Sequence, residues 1–386
     1  MNTLISILTA IGLSLEVGLI FFYKALWSIL FGVAVTSAID VFVDKDRMAR
    51  FLGGCDVKTT GLATVAGAVS SACTFGAVTI AQTLFKKGAS AEATLAFALA
   101  STNIVFELAI LIYILLGPAF VAAELLSGVV LVAIMYLLVR VTLPVDVFEQ
   151  ARKGMQGHAD EFEFVHADQK QWWQQLRTLR GWYYIATRYF RTLQCIYKSA
   201  IVGFLVSGFI VVLVPRALWS MLFLPSQSFL GVLENAALGV LAGILSFIGT
   251  IGIVPFATAL WIGGAGFAGV LGCIVSDNIT VPVLGLWRNF YGSKATMYIF
   301  AVFYVTMVAT SVLVEYLFRA LGWIPSRVGA TNLTTTGIRI DYTLVLTLLF
   351  LGLTVALWIV KRVGDQRGGP TNLSARAGDS GTRTVA

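Results

Sequence analysis

Two short runs in an otherwise apolar chain combine hydroxyls with glycine, the first with a thiol as well: Ser70-Ser71-Ala72-Cys73-Thr74-Phe75-Gly76 and Ser246-Phe247-Ile248-Gly249-Thr250-Ile251-Gly252. A helix that restarts at such a run exposes unpaired N–H groups and its positive dipole end. Ser70, Ser71 and Thr74 can cap one such end, and Ser246 and Thr250 the other. The chemistry open to them is binding of a small ligand, preferably an anion or a polarizable group. The alternative is that the hydroxyls only satisfy broken backbone. Cys73 adds a thiol that can meet a soft ligand, though cysteine is also an ordinary small buried residue. The substrate-binding candidates are Ser70, Ser71, Cys73, Thr74, Gly76, Asn103, Ser246, Thr250 and Gly252.

Two acids fall near the middle of apolar stretches, Glu107 and Asp277. A carboxylate there is costly and functional by default. Proton coupling is the role it suggests, against a satisfied pair inside a helix bundle. Asn103 precedes Glu107 at helical i,i+4 spacing. Glu16, Asp40, Glu124, Glu234 and Glu315 sit nearer helix ends and are not singled out. His158 and His166 lie in an acidic loop that reads as solvated. The four cysteines have no framework or CxxC spacing, so no disulfide, metal site or cofactor is expected.

These residues need a membrane to position them. The chain is 58% apolar and 12% charged, with a mean hydropathy of +0.86. A soluble domain carries about 25% charged residues. That balance excludes a soluble enzyme, a disordered protein and a nucleic-acid binder, although the pI is near 9.3. The fold class is an all-α polytopic membrane protein.

Eight stretches are long enough to cross: about 4–22, 26–43, 92–116, 119–140, 196–214, 267–287, 295–318 and 342–360. Regions 59–86 and 230–262 are rich in small residues and broken at the two runs above. The 14 residues from Thr59 to Ala72 cover ~21 Å as a helix, enough to reach mid-membrane and no further. Basic residues lie in 45–58, at Lys86-Lys87 and in 140–191. Excess positive charge collects in the cytoplasm, and all three fall there if 59–86 is a re-entrant hairpin. The expectation is about 8 spans with two such hairpins, ten full crossings being the alternative, and both termini cytoplasmic. Residues 1–25 form an N-terminal helix, 26–140 and 196–318 two permease units, and 141–195 a cytoplasmic loop. In that loop Trp172, Leu176, Leu179, Tyr183, Ala186 and Phe190 give an amphipathic surface helix. Residues 319–360 hold a linker and the last span, and 361–386 a disordered tail.

Shifting the chain by 176 positions aligns the broken regions without a gap. From Leu62 to Leu95, 12 of 34 positions are identical to Leu238–Leu271. With one hairpin entering from each side, the units are inverted copies. That architecture is common among secondary transporters, which bind substrate at the repeat interface near the midplane.

The first run, with LFKKGAS and LAFALASTNIVFELAIL after it, resembles the first half of bacterial predicted permeases related to the organoarsenical efflux permeases. SFIGTIGIVPFATALWIGGAGFAGVLGCIVSDNITVPVLGLWRNFYG resembles their second half. The resemblance covers about residues 26–360 and implies a multi-pass inner-membrane permease with paired breaks. Members that move trivalent organoarsenicals carry Cys-Ser-Cys-Gly at the first break, of which only Cys73 and Gly76 match here. Ser101, Thr102, Asn103, Glu107 and Asp277 match a nearer branch. The reading is a proton-coupled exporter of a small solute, with an organoarsenical or other soft compound among the candidates. A channel-like conduit is the alternative, and an intramembrane enzyme the third. The partners are the substrate and the lipid bilayer, with no nucleic acid and self-association open. The chain lacks GxxxxGK[ST], HExxH and GxSxG runs, which leaves no ATP cradle and no hydrolytic motif.

Overall fold

The computed structural model describes residues 2–42, 52–70, 74–155, 179–213, 222–224, 228–246, 249–325 and 342–366. Every regular element among them is helical. In chain order these are α1 (Asn2–Phe42), α2 (Val57–Ser70), α3 (Thr74–Lys86), α4 (Ala91–Asn103), α5 (Phe106–Leu115), α6 (Pro118–Thr142) and α7 (Val145–Met155). Then follow α8 (Leu179–Leu213), α9 (Phe229–Leu245), α10 (Thr250–Gly263), α11 (Phe267–Val275), a 3-10 turn (Ser276–Ile279), α12 (Val281–Ala320) and α13 (Tyr342–Gln366).

Five helical stretches are long and apolar enough to cross a bilayer, and six if the bent pair α4–α5 counts as one. The chain is a multi-pass helical membrane protein. The expected stretches differ from the helices chiefly at the N-terminal end. Stretches 4–22 and 26–43 run as the single helix α1, because Phe22, Tyr23, Lys24 and Ala25 include no helix breaker. A lone lysine can carry its amine to a partner along its own stem without turning the chain. Stretch 92–116 is bent by 40° between α4 and α5. Stretches 267–287 and 295–318 lie on either side of Gly292, whose φ of 80° interrupts α12. The surface-helix expectation changes too. Tyr183, Ala186 and Phe190 belong to α8, which runs on through 196–213. Part of the stripe meets protein: Ala186 is buried and Tyr183 Oη donates to Asp365 Oδ1 of α13 (2.7 Å), while Leu179 stays exposed; Tyr189, beside the stripe, bonds Thr354 Oγ1 of α13 (2.7 Å). Trp172, Leu176, both histidines and the tail after Gln366 lie outside the described residues.

Helix boundaries in the two halves follow the 176-residue offset. Thr74 and Thr250 open α3 and α10, Ala91 and Phe267 open α4 and α11, and Asn103 and Ile279 close the segments that follow. Gly88 and Gly264, also 176 apart, end α3 and α10 with φ of 106° and 124°, a conformation that favours glycine. Close helix pairs are made through small residues, as in other membrane bundles. A Cβ on Gly67 of α2 would lie 2.5 Å from Phe97 O of α4, and one on Gly243 of α9 would lie 2.8 Å from Cys273 O of α11. Phe97 and Cys273 are again 176 apart. The long helices α1 and α8 lie side by side, with Gly208 set against Ser14 O. Two apolar clusters fill the interior, one around α1, α5, α8 and α10 and one around α3, α4 and α12.

Candidate functional site

Four interrupted helices meet in the centre of the chain's fold. The first pair of breaks are the expected ones, before Thr74 and Thr250. The second pair were read as continuous spans. In α4–α5 the backbone leaves the helix at Ile104 (φ −103°, ψ 64°) and Val105 (φ −123°, ψ 129°). In the other half Ser276–Ile279 tighten into a 3-10 turn and Thr280 is extended. Pro282 explains this second break, since a proline cannot continue a helix from before it. Trp287, fully buried, donates its indole N–H to Asn278 O at 3.1 Å and satisfies a carbonyl that the break frees.

Asp277 sits in that 3-10 turn and is buried. Its Oδ2 accepts from Thr250 Oγ1 (2.8 Å) and Thr74 Oγ1 (3.0 Å), and the two hydroxyl oxygens are 2.5 Å from each other. Asn278 Nδ2 donates to Asp277 Oδ1 (3.0 Å) and to Thr102 Oγ1 (2.6 Å). Asn103 Nδ2 donates to the same Thr102 oxygen (3.1 Å) and to Leu99 O (2.9 Å). The pairs Thr74–Thr250 and Thr102–Asn278 are each 176 residues apart and each is joined by a hydrogen bond. Corresponding residues of the two halves therefore touch.

Two chemical consequences follow. Thr74 and Thr250 are the first residues of α3 and α10, so two positive helix ends already face a carboxylate of the protein itself. An anionic ligand has less to gain there than the sequence suggests. The second consequence is a proton count. Asp277 Oδ2, Thr74 Oγ1 and Thr250 Oγ1 make three mutual contacts, while the threonines supply two protons. A third proton, on the carboxyl, completes the ring.

The other expected residues divide. Ser70 is buried with its hydroxyl unpartnered. Ser246 donates to Gly243 O (2.7 Å) within its own helix end. Gly252 is a packing position: a Cβ on Gly203 of α8 would lie 2.5 Å from Gly252 Cα. Gly76 is half-buried on α3, and Ser71 and Cys73 lie outside the described residues. Glu107 is buried, and the break at 104–105 puts it and Asn103 on different helices, which removes the regular i,i+4 relation. It faces α1, where a Cβ on Gly32 would fall 2.1 Å from Glu107 Cβ.

Glu124 on α6 was missed. It is 1% exposed and both its carboxylate oxygens lack a partner. Ser127 and Gly128 follow it at i+3 and i+4, on one helix face, and that small-residue spacing was the available signal. Gly128 packs on the first break, where its Cβ would meet Ile104 Cγ1 at 2.5 Å. Glu315, equally buried, is different: it accepts from Ala268 N (2.7 Å) at the start of α11 and pairs with Arg319, a structural role.

Among known proteins, the sequence model of a family described as a predicted permease, ArsP_1, matches residues 13–316. A protein of Mycobacterium tuberculosis (strain ATCC 25618 / H37Rv) named "Putative permease Rv2963" is 33% identical over 323 residues, covering 82% of this chain and 79% of that protein. No solved structure gives a significant match.

Proposed function

The chain belongs to the ArsP_1 family of predicted permeases, and from that premise we propose that it is a secondary permease exporting a small solute, with Asp277 as its coupling carboxylate. Family membership and the helical spans make it a membrane transporter; the coupling and direction are our reading. The observation that carries it is the Thr74–Thr250–Asp277 ring, which lacks one proton and lies where four broken helices meet. Irregular backbone at membrane depth survives when it is buried in protein or lines a watery cavity.

We also read the two halves as an inverted repeat, in keeping with the same function. The coincident helix boundaries and the hydrogen bonds between residues 176 apart are what two units related by a two-fold axis would give. With α2–α3 and α9–α10 as hairpins, Lys58, Lys86, Lys87, Arg140, Arg152, Arg288, Lys294 and Lys361 all fall on one side, which is then the cytoplasm of a bacterial inner membrane. Arg319 falls opposite, paired with Glu315. Because α1 crosses once, Leu8 also falls outside. That replaces the expected cytoplasmic N-terminal end.

Glu107, packed on α1, is the second proton candidate. Organoarsenical transport rests on the resemblance and on the thiol of Cys73. Reconstituted vesicles test the coupling, with a trivalent methyl arsenical as the first solute. Asp277→Asn should retain solute exchange and lose accumulation driven by a pH gradient. Undiminished gradient-driven accumulation in that variant would remove Asp277 from the mechanism.

A further inference from the structure

Beside the ring lies a set of oxygen atoms that it does not use. Asn103 and Asn278 each commit the amide nitrogen to acceptors within the protein, Leu99 O and Asp277 Oδ1 respectively, and both also donate to Thr102 Oγ1. Neither amide can be turned round without setting its oxygen against another oxygen. What they present is Oδ1, and both Oδ1 atoms are buried without a partner. Thr102 holds the two side chains together. Glu124 stands on the face of α6 that packs on Asn103–Ile104 through Gly128, and it lies within electrostatic reach of Asp277.

Every group in this set accepts and none donates. The helix ends have the same sign: α4 and α11 finish here, so their negative dipole ends add to the carboxylates, and neither carries a basic residue in its last turn. The positive ends of α3 and α10 are matched by Asp277. A carboxylate cannot be left bare at this depth without large cost.

We propose that Glu124, with the side-chain oxygens of Asn103 and Asn278 and with Asp277 alongside, seats a dehydrated monovalent metal cation of the Na⁺ type. Oxygen-only ligands select hard cations, and the described residues hold no cluster of three His, Cys, Asp or Glu that would suit a transition metal. The charge is set by Glu124: with the ring's third proton on its carboxyl Asp277 is neutral, and its Oδ1 is taken by Asn278 Nδ2, which leaves one free carboxylate for one positive charge to balance. Half-helix C-terminal ends commonly serve Na⁺ in this way in membrane transporters. The proposal rests on the permease reading for its place in a transport cycle, though not for binding.

Binding is therefore read without transport. Purified protein in detergent is melted in NaCl, KCl or choline chloride at equal ionic strength, and ²²Na⁺ is measured by equilibrium dialysis. Saturable stabilisation by NaCl over choline chloride is expected, with stoichiometric ²²Na⁺. Glu124→Gln should weaken half-saturation by about tenfold or more, a loss of ~1.4 kcal/mol. Should that variant not purify, Asn103→Ala serves as the second, with the same expectation. Equal melting in NaCl and choline chloride, or stabilisation by acid alone, would overturn the proposal in favour of a buried water or a proton. Wild-type Na⁺ affinity in the variant would overturn the placement. Failure of pH-driven transport with intact ²²Na⁺ binding would instead count against the permease coupling.

Discussion

At the scale of residues, the centre of the molecule depends on two hydroxyls that share one carboxylate. Replacing either Thr74 or Thr250 by valine leaves Asp277 short of a donor, at a cost of about 1–3 kcal/mol for the unsatisfied buried group. The two hydroxyls also touch each other, so the effects are coupled. Melting of the single and double valine variants should show a double loss well short of the sum, and strict additivity would mean that the ring does not exist as described. A second residue-scale prediction concerns Cys55, exposed just before α2. Partial burial, with the neighbouring Glu92 carboxylate, holds its thiol above the ordinary value of 9.0. The thiolate is the reactive form, so a raised value means slow maleimide labelling near neutral pH and a rate still climbing above pH 9.0. Glu92→Gln removes the nearby negative charge and should speed labelling at pH 7. No acceleration, or a rate that levels off below the ordinary thiol value, would contradict this environment.

At the scale of elements, the glycines separate into those that carry contacts and those that do not. A Cβ on Gly239 would lie 1.9 Å from Gly269 O, and one on Gly67 2.5 Å from Phe97 O, while Gly61 and Gly285 meet nothing within 4 Å. Alanine at Gly239 or Gly67 should cost about 1–3 kcal/mol through overpacking against backbone. At Gly61 or Gly285 it should be neutral or stabilise by up to ~1 kcal/mol through helix propensity. Thermal denaturation of the four variants checks the ranking. The same contrast explains what could be read in advance. The breaks before Thr74 and Thr250 were legible because small residues and hydroxyls cluster there, and α3 and α10 begin at the threonines that the 176-residue offset aligns. The α4–α5 break was not legible, since Asn103-Ile104-Val105 contains neither glycine nor proline and the contact of Ile104 with Gly128 of α6 is a tertiary one. Glu124 was passed over for a related reason. Six residues after Pro118 it looks like a helix-end acid, and only the bend at Ile104 and the 3-10 turn at Asp277 bring a polar interior to it. The fusion of α1 was hidden by Lys24, a charge that reads as a boundary until a helix is seen to pass through it.

At the scale of the whole molecule, the arrangement of charged ends is open to direct test. In a cysteine-free background, single cysteines at positions 8 and 264 should react with an impermeant maleimide added outside intact cells, and Cys55 alone should react only after the cytoplasmic face is opened. Labelling of position 8 from the cytoplasm would restore two separate N-terminal spans. Labelling of position 264 from the cytoplasm would dismantle the two-fold relation.

One asymmetry within that relation has an electrical meaning. The 176-residue offset pairs Asp277 with Ser101, so within the ring the two halves supply matching threonines but only the second half supplies a carboxyl. If the halves rock against each other, an unprotonated Asp277 is displaced through part of the bilayer field with no charge at the mirrored position to offset it. A full elementary charge crossing 100 mV corresponds to about 2.3 kcal/mol, and a partial displacement to a proportionate share. The turnover of the permease should then register as a transient current on a capacitive membrane, with an amplitude that Asp277→Asn reduces and that Ser101→Asp, placing a second charge on the mirrored side, drives towards cancellation.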